Sequence, residues 1–284
     1  MNSFLVSTVS IQAAPPLEKA PLSKRGKPPA AAFYEVVVPL LATAGAFLLW
    51  EVICRTFKVP AYLVPAPSQV WTDTMAIGPT VFGHSMATLK TVMLGFAFSI
   101  LVSLPLAVML TASPAIAGAV YPFLVWTQSI PKVALAPILV VVLGSNELPR
   151  VVITVLVAFF PLVISIATGL MSVPPELLEL SRACRASKWS ELWRIRLPFA
   201  IPFVFAGLKV AVSLAVVGAV VAEFVNADAG LGFLIVTSTA FFKVPVAFGA
   251  LIILSFMGVM LFQIVVIVER VFFPWSSGNA QVAS

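Results

Sequence analysis

Residues 174–202 read PPELLELSRACRASKWSELWRIRLPFAIP. Pro174 and Pro175 suit a helix start, where a missing N–H costs nothing, and Glu176 complements the positive end of the helix dipole. Leu177, Leu180 and Cys184 recur at i, i+3 and i+7; Trp189, Leu192 and Trp193 recur at i, i+3 and i+4. The spacing predicts two short amphipathic helices, each with one apolar face. Two tryptophans beside a membrane admit two readings. One is an interfacial helix with its indoles at the headgroup level, and the other is a docking surface for a partner protein.

The rest of the chain makes this polar segment stand out. Of 284 residues, 61% are apolar and only 10% charged, and the mean hydropathy is +1.09. A soluble domain carries about 45–50% apolar and about 25% charged residues, so a soluble fold and general disorder are both excluded. The 23 prolines fit membrane helices, which tolerate the residue. A helix needs about 20 apolar residues to cross a hydrocarbon core of about 30 Å. Six stretches meet that length: 33–54, 86–111, 115–143, 151–171, 199–223 and 247–272. The expected fold is therefore an all-α integral membrane domain of six transmembrane helices over residues 33–273. Residues 1–32 form a flexible tail and 274–284 a short C-terminal one. The N-terminal start is apolar but has no basic stretch before it, and makes a poor secretory signal.

Basic residues set the orientation. With the N-terminus inside, ten lysines and arginines fall on the cytoplasmic side, among them Lys19, Arg182, Arg185, Lys188, Arg194 and Arg196. Four fall outside: Arg55, Lys58, Arg150 and Lys243. Both termini and the loop 172–198 are then cytoplasmic. Residues 1–33 carry a net +3 and residues 172–198 a net +2 of the overall +6. The charge is a topology signal, and nucleic acid is not needed to explain it.

Several chemistries are excluded. The two cysteines, Cys54 and Cys184, lie on opposite sides of the bilayer in this topology, and His84 is the single histidine; neither a disulfide nor a His/Cys metal site is expected. No G-x-x-x-x-G-K-[ST] loop is present to cradle a nucleotide phosphate chain. An intramembrane enzyme is disfavoured by the lack of a G-x-S-x-G and of a carboxylate pair within a span.

The loop resembles one family. Importer permeases of ATP-binding-cassette (ABC) systems carry E-A-A-x3-G-x9-I-x-L-P in a cytoplasmic loop. Here Glu179-Leu180-Ser181 is followed by Arg185 at the glycine position and by Ile195-Arg196-Leu197-Pro198. The spacing is kept; the two alanines and the glycine are not. Glycine there allows a left-handed turn, and another residue in that conformation loses about 1–2 kcal/mol. Either the turn is regular or Arg185 carries the strain. Ala61–Pro67, His84–Lys90, Ser129–Pro137, and Ala222-Glu223-Phe224 through Gly230-Leu231-Gly232 resemble segments of the nitrate, sulfonate and taurine branch. The run AVVGAVVAEFVNADAGLG looks closest to permeases for thiamine-pyrimidine precursors or riboflavin.

The resemblance implies the type I importer permease fold, a bacterial inner-membrane location and no enzymatic activity in this chain. It implies separate ABC ATPase subunits that bind ATP, an extracytoplasmic substrate-binding protein, and a second copy of the chain. The coupling surface it implies comprises Glu179, Arg182, Arg185, Ser187, Trp189, Glu191, Trp193, Ile195, Leu197 and Pro198. The function expected is a translocation path for a small polar or anionic organic solute. A self-contained secondary transporter or channel is the alternative.

Polar residues within a bilayer default to function. Gln128, Ser129 and Lys132 sit among Pro122, Pro131 and Pro137, where Lys132 either attracts an anionic or electron-rich solute, or caps freed carbonyls or faces a partner subunit. Glu223 is placed at the outer mouth of the path or in a solvated loop. Lys209 is expected to snorkel to the cytoplasmic surface. Gly207, Ser213 and Gly218 offer small surfaces for close helix packing.

Overall fold

The computed structural model describes residues 29–277. Regular structure among them is entirely helical: α1 Pro29–Thr56, α2 Pro67–Ala76, α3 Gly78–Ala112, α4 Pro114–Ser129, α5 Lys132–Leu143, α6 Glu147–Met171, α7 Pro175–Ala183, α8 Lys188–Glu191, α9 Leu197–Val225, α10 Leu231–Ala240, α11 Val244–Phe272 and α12 Pro274–Ser277. A π-helical turn, Leu192–Arg196, joins α8 to α9. The described chain divides at Leu48, with α1 up to that residue as one unit and everything from Leu49 as the other. Most of the N-terminal tail expectation, residues 1–28, lies outside the described residues; α1 itself begins at Pro29.

Among the described residues, five segments are long and apolar enough to cross a bilayer: Val37–Thr56, Gly78–Ala112, Glu147–Met171, Lys188–Val225 and Val244–Phe272. The third expected span is broken. α4 and α5 qualify only as a pair, and they meet at 93°. The break falls at Ile130-Pro131, where Pro131 has no N–H to continue the ladder and forces the residue before it out of the α region; Ile130 is extended. The polar stretches between spans also hold helices the spacing did not show. α2 lies within 55–84 and α10 within 224–246.

α6 and α9 form the centre, packed along most of their length, with α3 against α6. Small residues allow the approach, since no water-driven force draws helices together in lipid and van der Waals fit decides. A Cβ on Gly169 would come within 2.7 Å of Phe203 Cβ, and one on Gly207 within 2.7 Å of Ser165 Cβ. On Gly218 it would come within 3.0 Å of the Thr154 backbone. Ser213 takes no part: it is exposed, with its hydroxyl bonded to the Lys209 carbonyl. The core around these contacts holds Ala158, Leu162, Ile166, Leu170, Ala211, Ala215 and Ala219.

Lys209 does not end in solvent as a snorkelling side chain. Its ammonium pairs with Glu269 of α11 at 2.6 Å, and the side chain of Glu269 is 7% exposed. Ser276 donates to the same carboxylate at 2.8 Å. Pro274–Ser277 thus folds back onto the spans, with Phe273 against both Phe205 and Trp275. The C-terminal tail read from Pro274 begins with this packed turn, and residues 278–284 lie outside the described residues.

Two outcomes follow for purified protein in detergent. Gly218→Leu lowers stability by about 1–3 kcal/mol, the usual cost of overpacking, while Gly118→Ala, whose new Cβ meets nothing within 4 Å, leaves the melting temperature unchanged. Lys209→Met costs about 3–5 kcal/mol because it strands the Glu269 charge, and Lys209→Met with Glu269→Leu recovers most of the loss; thermal unfolding of the two variants reads both.

Candidate coupling loop and pathway residues

α7 leaves the end of α6 after Pro174 and runs nine residues. Leu177 and Leu178 are half-buried and Ser181 is buried, whereas Leu180 is 60% exposed and Cys184 is also exposed. The packed face of α7 is therefore 177, 178 and 181, one step round from the expected 177, 180 and 184. Leu180 and Cys184 are left on the outside.

The turn after α7 settles the question at Arg185, whose φ is +51°. The Ala186 N–H reaches back to the Ser181 carbonyl at 3.0 Å, and the Arg185 N–H to the Arg182 carbonyl at 2.9 Å. These paired bonds are the Schellman arrangement, with Arg185 at the left-handed position that glycine usually fills. The glycine of the motif has a conformational role, and Arg185 fills it at a cost.

Ser187 then caps α8, its hydroxyl accepting from the Ser190 N–H at 3.2 Å. The predicted second helix is not a separate one. It runs through the π turn into α9 as one segment, Lys188–Val225. The wider turn places residues five apart on one side. Arg196 accordingly pairs with Glu191 at 2.7 Å and also donates to the Leu170 carbonyl at 3.2 Å, closing the end of α6. Pro198, which lacks an N–H, stands just after the widened turn. Trp189 and Trp193 are 67% and 56% exposed and meet edge to face, with centroids 5.6 Å apart. With Leu180 they leave apolar side chains uncovered by this chain. Glu179, Arg182, Arg185, Lys188 and Arg194 are exposed as well, and Ile195 and Leu197 are half-buried. A cavity of about 520 Å³ lies between Val108, Thr111 and Ala112 of α3 and the loop residues Arg182, Lys188, Trp189 and Arg196.

The pathway residues divide. Gln128 and Lys132 come together across the α4–α5 break, the Lys132 ammonium donating to the Gln128 side chain. Ser129 beside them is exposed and bonds the Val125 carbonyl. Glu223 stands apart, turned to α3 and α10. It is 2% exposed and accepts from Thr88 Oγ1 at 3.0 Å and the Gly232 N–H at 2.8 Å. Sequence reasoning missed its partners. Thr88 also accepts from the Leu231 N–H at 2.7 Å, and His84 Nδ1 accepts from the Gly230 N–H at 3.0 Å. It also missed Glu51, which accepts from the Ser68 N–H at 3.0 Å and so closes the start of α2.

The family model described as "binding-protein-dependent transport system inner membrane component" matches residues 99–276. The chain belongs to that family. It is a permease subunit of an ABC importer for small solutes. The permease is 34% identical to the formylaminopyrimidine transport permease protein of Halalkalibacterium halodurans, over 85% of this chain and 97% of that one. It is 30% identical to the riboflavin transport system permease protein of Chloroflexus aurantiacus, over 81% and 87%. With the taurine transport system permease protein of Escherichia coli the identity is 24%, over 85% and 90%. Among solved structures, the MetNI methionine ABC transporter in an inward-facing conformation shares the fold at 19% identity. Its TM-score is 0.52, covering 66% of the permease and 95% of that chain.

Within the permease the left-handed Arg185 gives a direct test. Arg185→Gly relieves about 1 kcal/mol of backbone strain, so it raises the melting temperature while the loop keeps its turn. A lowered melting temperature contradicts the conformational role.

Proposed function

We propose that two copies of this permease, with two ABC ATPase subunits on the 172–198 side and a substrate-binding protein on the other, carry a small polar or anionic organic solute into the bacterial cytoplasm. The uncovered Trp189–Trp193 pair, with Leu180 also exposed on the same loop, supports this best. Interfaces concentrate their energy in such aromatic anchors, and here the anchors sit at the end of the most buried span. The same loop carries Glu179, Arg182, Arg185, Ser187 and Glu191. ATP is bound by the partner, because this sequence offers no phosphate-cradling loop, and the permease itself performs no catalysis. The excess of Lys and Arg supports a cytoplasmic placement for this loop and both termini.

The path runs along the face of α9 that the chain leaves open. Phe199, Phe203, Val210, Ser213, Val217 and Phe224 share that face at spacings of three, four and seven. Beside it lies a groove of about 430 Å³ to which Ser213 and Ser255 contribute. A second copy placed against this face encloses the groove. The Gln128–Lys132 pair offers a charged donor for an anionic group. A nitrogen heterocycle of the pyrimidine or flavin kind is the proposed solute class, because the formylaminopyrimidine and riboflavin permeases exceed the sulfonate and taurine ones in identity.

Trp189→Ala with Trp193→Ala weakens ATPase association about 30-fold or more, as loss of a hot spot does, and leaves membrane insertion unchanged; co-purification from detergent measures it. In liposomes bearing the ATPase and binding protein, uptake of labelled formylaminopyrimidine or riboflavin requires ATP. Uptake by the permease alone, down a gradient, overturns the reading.

A further inference from the structure

The start of α10 is held in a way that nothing in the coupling loop explains. Its N-cap is Gly230, which has no side chain to close the helix. The first N–H groups of a helix need acceptors, and in an apolar surround an unmet one is costly. Three consecutive N–H groups, those of Gly230, Leu231 and Gly232, go to His84 Nδ1, Thr88 Oγ1 and Glu223 Oε2. The first two acceptors belong to α3 and the third to α9. The Thr88 hydroxyl also donates to Glu223, so one side chain bridges all three helices. The fit is tight. A Cβ on Gly230 would fall within 2.4 Å of the Glu223 carboxyl carbon, and Gly230 holds φ at +131°, where only glycine is at ease.

α10 has a second neighbour. Leu231 and Leu234 pack with Val246 and Ala250 of α11. That contact is apolar and non-directional, whereas the three hydrogen bonds to α3 and α9 are directional. The hydrogen bonds thus tie α10 directly to α3 and α9 at its first turn, whereas the ion pair between α11 and α9 lies near the far end of α11. α3, α6 and α9 lock together through Gly95, Gly169, Gly207 and Gly218. α9 and the loop residues Trp189 and Trp193 are one continuous segment of 38 residues, about 57 Å long. Glu223 stands at the opposite end of that segment.

We infer that Glu223, with Thr88, is a positioning latch: it fixes α10 to the α3–α6–α9 body so that displacement of the coupling loop is delivered to α10 at the other face of the membrane. The inference rests on the proposed ATP-driven reading and goes beyond it by assigning the output element and the residues that engage it. The carboxylate has a second oxygen, Oε1, that is buried without a hydrogen-bond partner. A plain anchor is made more cheaply by a hydroxyl or an amide. At a helix N-terminus a carboxyl oxygen meets the orphan N–H groups, and here Oε2 accepts both the Gly232 N–H and the Thr88 hydroxyl, so a single atom of α9 holds α3 and α10 together.

The test uses the full complex of permease, ATPase and binding protein, in a Cys184→Ser background, with spin labels on Ala186→Cys in the loop or Thr239→Cys on the exposed face of α10. Distances between the two copies are read before and after trapping with ATP and vanadate. In the parent complex both labels shift. In Thr88→Val and in Glu223→Ala the loop label shifts as before and the α10 label does not, and ATP is hydrolysed without uptake. Thr88→Ser, which keeps the hydroxyl, restores the α10 shift. An α10 shift of parent size in Thr88→Val overturns the latch, as does an α10 label that stays still in the parent while its loop moves. Failure of both Thr88→Val and Glu223→Ala to assemble with the ATPase overturns it too, because the network then serves folding alone. A parent loop label that ignores trapped ATP defeats the ATP-driven reading itself, and the latch falls with it.

Discussion

The close approach of α6 and α9 is the contact on which the rest of the permease depends. Glycine at 169, 207 and 218 brings the two backbones together, and the alanine-rich core fills the space that remains. In lipid no hydrophobic gain is available for bringing apolar helices together, so shape has to supply the energy. The loop inherits its position from this pair. Arg196 reaches the last turn of α6, and α7 starts from the end of that same helix. At the opposite end Ser145, just before α6, donates to Asn226, just after α9, at 2.9 Å.

Polar groups are then distributed by what an apolar medium permits. Each charge drawn inward finds a partner on another element or across a widened turn. Lys209 meets Glu269, Arg196 meets Glu191, and Glu223 meets backbone and hydroxyl donors. Such pairs are poor sources of net stability, yet losing one partner is severe. They fix register between helices whose apolar surfaces alone would slide.

Much of this was legible in the sequence, and the missing parts share a cause. The apolar runs set the spans, because length and hydropathy are local properties. The Glu179 to Pro198 spacing marked the loop for the same reason. The 93° break at Ile130-Pro131 was not legible, since proline in a membrane helix can kink it slightly or end it, and neighbours decide. α2 and α10 escaped because ten residues do not span a bilayer and carry no periodicity distinct from a loop. The partner of Lys209 was not legible because it lies on α11, far along the chain. Glu223 was picked out as a polar residue near a membrane edge, but its surroundings are set by Thr88 and Gly232, which no spacing rule connects to it. Arg185 shows the reverse case. The departure from glycine posed the right question, and only the backbone could answer it.

The Lys209–Glu269 pair also bears on how the chain is made. Synthesis delivers α9 before α10 and α11, so the lysine enters the membrane ahead of the carboxylate that neutralises it. Until α11 arrives and Ser276 closes over Glu269, Lys209 lacks the carboxylate that it meets in the folded chain. The ion pair is therefore among the last contacts to become possible, because it needs the final long span in place.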